Sequence, residues 1–123
     1  MANIHADVLD AACSHISTNT ENLYITNALA TTYLQAQTTY KIGTKASPSF
    51  TGPAAGDASG RKITVDAITD GTVDATDTAS HWALTDNSES KLLAAGPLDS
   101  SLGVTATNTF TLTAFDIEFP DPA

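Results

Sequence analysis

Arg61-Lys62-Ile63-Thr64-Val65-Asp66-Ala67 sets Ile63, Val65 and Ala67 in strict alternation with Lys62, Thr64 and Asp66. A period of two puts one set on each face of a strand, so the stretch predicts a half-buried β-strand. Asp70-Gly71 follows, a pair that readily takes the positive φ angles of tight hairpin turns, with Val73 and Ala75 expected on the return strand. Trp82 and Leu84 share one face of the next strand, opposite His81 and Ala83. Lys91 to Ala95 forms another, which Gly96-Pro97 breaks, and Leu102 to Thr105 is a weak strand or connection. Such regular turn spacing predicts a mainly β chain, an antiparallel β-sandwich.

The last long strand, Asn108 to Phe119, carries a conflict. Phe110 and Leu112 are at even positions, but Phe115, Ile117 and Phe119 are at odd ones. Alternation is strict in a strand, so a bulge or bend is required near Thr113-Ala114. Otherwise the two apolar sets face different partners, one of them in another chain.

Working toward the N-terminus, Leu23-Tyr24-Ile25-Thr26 and Tyr40-Lys41-Ile42-Gly43 read as short strands. Ala28 to Thr39 is ambiguous between a helical turn and a loop. The run Ser47-Pro48-Ser49-Phe50-Thr51-Gly52-Pro53, continuing to Gly60, reads as a loop on its Pro, Gly and Ser content. Asn3 to about Thr18 is the one clear helix, a short N-terminal α-helix capped by Asn3, with Asp7 in its first turn. Ile4, Val8, Leu9, Ala12 and Ile16 form its apolar stripe, which must dock on the chain's own β-domain or on a neighbouring subunit. The expected organisation is a helical segment over 1–20 and a single β-sandwich domain over 21–123, with a long Pro/Gly loop at 46–60.

Composition narrows the function. The chain has 123 residues, one-domain size, and only 15% are charged, against about a quarter in soluble proteins generally. Its net charge of −9 and five scattered basic residues argue against binding nucleic acid, which needs Lys and Arg at the phosphates. Cys13 is the single cysteine, so no intrachain disulfide forms. The start lacks the basic flank and apolar run of a signal peptide, and nothing approaches the ~20 apolar residues of a membrane span. Synthesis in a cytoplasm without membrane association is expected.

Catalytic motifs are missing. Asp70, Asp74 and Asp77 cluster in sequence and are a weak calcium candidate, but the D-x-[DN]-x-[DN]-G spacing is not there. His5, His15 and His81 have no zinc spacing, and no cofactor is expected. Ser59 sits one position late for a G-x-S-x-G nucleophile elbow. The chain reads as a non-enzyme. Of the aromatics, Tyr24, Tyr33, Tyr40 and Phe50 form either a second apolar layer or interface anchors. Trp82 is expected in the core; exposed, it would instead stack on sugar rings.

Four stretches carry a resemblance: Phe50-Thr51-Gly52-Pro53, Gly60-Arg61-Lys62-Ile63-Thr64-Val65, Ala79-Ser80-His81-Trp82-Ala83-Leu84-Thr85-Asp86 with Lys91-Leu92-Leu93, and Phe115-Asp116-Ile117-Glu118-Phe119-Pro120-Asp121-Pro122. From about Asp7 onward the chain resembles a family of small tailed-bacteriophage virion structural proteins, short and Thr/Ala-rich with an N-terminal helix and a β-domain. The resemblance implies a many-copy virion component, most simply a capsid decoration (cement) protein, with a collar, tail or fibre position as the alternative. It implies other virion proteins as partners, the major capsid protein first, and a homo-oligomer, with a trimer favoured. It transfers no catalytic residues. The interface candidates are Ile4, Val8, Tyr33, Tyr40, Phe50, Pro53 and Phe119.

Overall fold

The computed structural model describes residues 4–57 and 59–120. The protein is mainly β, in two antiparallel sheets with one N-terminal helix, the class expected from the alternating strands. The strands are β1 (Asn22–Thr26), β2 (Lys41–Ala46), β3 (Phe50–Ala55), β4 (Arg61–Val65), β5 (Ile68–Val73), β6 (Asp77–Asp86), β7 (Lys91–Val104), β8 (Thr109–Leu112) and β9 (Phe115–Phe119). Helix α1 spans Ala6–Asn19. No helix among the described residues is long and apolar enough to cross a membrane.

The chain divides into two compact units interleaved in sequence. The first takes the chain up to Asn19, Ser49–Ala67 and Thr113 onward; the second takes Thr20–Pro48 and Ile68–Leu112. The helix thus belongs with two distant stretches of strand, where the sequence suggests one boundary near residue 20.

In the first unit the sheet order is β3-β4-β9. Central β4 buries Ile63 and Val65, the alternating residues that identify it in the sequence. Helix α1 packs on β4 and β3, burying Leu9, Cys13 and Ile16. Arg61 ties the two elements together, its Nε 2.6 Å from Asp10 Oδ1. Asn3, the expected cap, lies outside the described residues. His5 occupies the capping position: its carbonyl accepts from Val8 N–H at 3.0 Å, and its Nδ1 accepts from Asp7 N–H at 3.0 Å.

The second unit holds a six-stranded sheet of order β7-β6-β1-β2-β5-β8. Its core is Leu23, Ile25, Ile42, Val73, Ala79, Trp82, Leu84 and Phe110. β6, an inner strand between β1 and β7, buries every residue from Trp82 to Asp86 and so is covered on both faces there.

Three local expectations are corrected. Asp70-Gly71 is not a turn: it lies inside β5, and β4 and β5 belong to different sheets. Gly71 faces Phe110 across the ladder, and a Cβ there would lie 2.2 Å from the ring, so this glycine makes room for an aromatic. Gly96-Pro97 does not break a strand, since β7 runs unbroken through both. β7 is at the edge of the sheet, where a proline's missing N–H can be tolerated, and a shift of register between Ala79 and His81 absorbs the irregularity. Within the expected loop at 46–60, Phe50–Ala55 forms β3, another edge strand, whose pairing with β4 slips between Thr51 and Ala54.

The parity conflict resolves at the expected place. The chain breaks at Thr113-Ala114, sending β8 with Phe110 to the six-stranded sheet and β9 with Phe115, Ile117 and Phe119 to the three-stranded one. Both apolar sets therefore find partners within the chain.

Candidate docking surfaces

An α-helix seated on a sheet buries one stripe and should turn polar side chains outward. Helix α1 departs from this. Leu9, Cys13 and Ile16 face inward, yet Val8 in its first turn is 60% exposed, and Ile4, which precedes the helix instead of joining its stripe, is 41% exposed. Part of the predicted apolar stripe thus docks on the chain's own sheet and part is left outside. Around Ile4 the surface forms a shallow open depression, lined also by Ala6, Leu9, Gly60 and Arg61. Asp7 is exposed on the same first turn, its carboxylate 3.6 Å from His5 Nδ1. Burial pushes the Cys13 thiol above its ordinary value, Asp10 adds to the effect and Arg61 opposes it; the side chain is fully buried in the core.

The other interface candidates are distributed over both units. Phe50 and Pro53 are half-buried on β3, and Phe119 is half-buried on β9 opposite Arg61. Tyr40 packs half-buried against a small cluster of Tyr24, Ala30, Ala36 and Ala83, while Tyr33 is half-buried in the connection from β1 to β2. Sequence reasoning missed Leu29 and Leu34 in that connection, which are 48% and 61% exposed. Their signal was faint, since an aliphatic residue in an ambiguous segment is ordinarily assigned to the core.

The calcium candidates do not converge. Asp70 Oδ1 is 3.0 Å from Lys45 Nζ, Asp74 Oδ2 accepts from Thr44 Oγ1 at 2.7 Å, and Asp77 Oδ2 accepts from Asn27 Nδ2 at 2.9 Å. Among the described residues no group of three His, Cys, Asp or Glu side chains is placed to hold a metal ion. His15 hydrogen-bonds Asn19, and His81 Nδ1 lies 2.7 Å from Ser80 Oγ.

Trp82 is 8% exposed, in the core as expected, so it offers no open ring for a sugar. Several described carboxylates of the first unit are engaged with structure. Lys62 Nζ lies 2.7 Å from Asp57 and 3.1 Å from Asp116, Thr64 Oγ1 donates to Asp116 at 2.8 Å, and Glu118 accepts from the Asp57 N–H. These contacts brace the face of the sheet that bears Lys62 and Asp116.

Comparison with protein-family models, curated proteins and solved structures gives no significant match.

Proposed function

We propose that this chain is a structural subunit of a tailed-phage virion, a capsid decoration protein that binds the assembled shell and stabilises it by packing. The observation that carries this is a pair of exposed large aliphatic side chains at the N-terminal end of the helix, Val8 in its first turn and Ile4 just before it, on an element whose inner face is already seated. Exposed apolar surface of this kind is where a packing partner would gain contact area. The low charged fraction and the resemblance of the β-strands to small virion proteins point the same way. A protein that binds only the assembled shell stabilises it by mass action, without any chemistry of its own.

The test is binding of the full chain to assembled shells of its phage, comparing wild type with the double variant Ile4→Gln/Val8→Gln. Wild type should co-sediment with shells and appear as density on their outer surface by cryo-electron microscopy. The variant should fold but bind at least about tenfold more weakly, the loss expected for about 1.4 kcal/mol of contact energy. Density at the tail alone, or equal binding by the variant, would overturn the reading.

A further inference from the structure

The connection from β1 to β2 is packed inside out. Its small residues, Ala30 and Ala36, are buried against Tyr24 and Ala83, while its two leucines, Leu29 and Leu34, point to solvent. This is not slack in a loose loop. Asn27 N–H donates to the Tyr40 carbonyl at 3.1 Å and closes the base. Thr32 Oγ1 accepts from Gln35 N–H at 3.2 Å, and Gln35 Oε1 accepts from Thr31 N–H at 2.8 Å, so Gln35 is held from both its backbone and its side chain. A π-helical turn, Gln35–Thr39, completes the segment. The leucines are therefore held ready, and a partner would have little ordering left to do.

Charge decides which partner. From Asn22 to Tyr40 the chain has no Asp, Glu, Lys, Arg or His, although the whole molecule carries −9. At its base, Asp77 accepts from Asn27, and Lys41, next in sequence, is 3.9 Å from Asp74. Two copies of so acidic a chain repel each other over most approaches. A charge-free tip lets them meet without opposing carboxylates, and it gives a basic partner nothing to pair with. The N-terminal end of the helix, with Ile4 and Val8, is different: Asp7 lies between them in sequence and is exposed, so self-contact there risks setting carboxylate against carboxylate.

We propose that Leu29 and Leu34, with Tyr33 between them, form the self-association face of this protein, its occupant being the same face of another copy or copies in a closed assembly. This deepens the packing-subunit reading and rests on it, dividing the work between two surfaces: one for the chain's own copies, one for the shell.

Sedimentation of the full chain over a concentration series tests it, with Leu29→Gln/Leu34→Gln beside Ile4→Gln/Val8→Gln. Wild type and the helix variant should associate as concentration rises. The leucine variant should associate on the order of tenfold more weakly or not at all, with an unchanged circular dichroism spectrum. A wild type monomeric at every concentration, or a leucine variant that assembles like wild type, would overturn the proposal. Should the leucine variant misfold, hydrogen exchange of dilute and concentrated wild type decides: protection gained at residues 29–39 supports the face, and none gained there refutes it. Shell binding by a chain that never self-associates would sink this proposal alone, whereas self-association without shell binding would sink only the decoration role.

Discussion

Trp82 and Gly96 are cross-strand partners on β6 and β7, and the indole occupies the space a side chain at residue 96 would need. A Cβ on Gly96 would lie 2.8 Å from Trp82 Cζ2. Gly71 and Phe110 repeat the arrangement on β5 and β8, at 2.2 Å. Each aromatic folds over a glycine of the neighbouring strand, covering backbone that would otherwise be bare.

Trp82→Ala should therefore lower the stability of the second unit by roughly 3–5 kcal/mol, through lost burial and the cavity left behind. Gly71→Ala should be costly as well, since the crowding at Phe110 is severe, about 1–3 kcal/mol if the ring must leave its position. Urea unfolding followed by circular dichroism checks both. A Gly71→Ala chain as stable as wild type would show that the close approach is not a constraint.

Cys13 is fully buried and its thiol is held neutral by burial first and by Asp10 second. Alkylation by iodoacetamide should be much slower than in the unfolded chain, and should accelerate on unfolding in parallel with loss of the helix signal. Arg61→Ala, which removes the tie between β4 and α1, should raise the labelling rate. Rapid modification of the native wild-type chain would contradict the packing of α1.

Acid should destabilise the fold. Asp116 is held below its ordinary value by the Thr64 hydroxyl and then by Lys62; Asp77 by the Asn27 amide and then the Thr78 N–H; Glu21 by Ser88. A depressed carboxylate contributes stability above its unfolded pKa, about 4, and loses it as pH falls through the folded value. Lys62 works in the other direction: Asp57, then Asp116, raise it, so its contribution is present below about 10.4 and lost at higher pH. Thermal melts across pH should fall at both ends. Asp116→Asn should flatten both falls, because it removes one depressed carboxylate and one partner of Lys62.

Asn87 Nδ2 donates to the Tyr24 hydroxyl at 3.0 Å while its Oδ1 accepts from Thr85 Oγ1 at 2.6 Å, pinning the turn after β6 to β1. Tyr24→Phe should cost about 0.5–1.5 kcal/mol, the usual net value of one such bond, with no change in fold. A double-mutant cycle with Asn87→Ala would isolate the pair.

How much was legible depends on whether the deciding contact is local. The periods of α1 and β4 are set by which face each element buries, and Ile63, Val65, Leu9 and Ile16 reveal that directly. The break at Thr113-Ala114 was readable because a parity change cannot be hidden in a strand. Asp70-Gly71 misled because the same dipeptide serves a turn or a strand lying under a ring, and the ring, Phe110, is remote in sequence. Phe50–Ala55 was obscured because edge strands tolerate the glycine and proline that mark loops. Ile4 and Val8 were legible as members of an apolar stripe, although the helix begins only at Ala6 and leaves Ile4 ahead of it. Leu29 and Leu34 were not legible as a surface, because it takes the burial of Ala30 and Ala36 in the same connection to show that the leucines have been left outside.

The interleaving of the two units also sets an order of events during synthesis. β4 sits between β3 and β9, yet β9 is made only after the whole of the second unit. Until residues 115–119 have left the ribosome, Ile63 and Val65 lie on a strand with one bare edge. A chain stalled just short of β9 would present that open edge to any strand nearby.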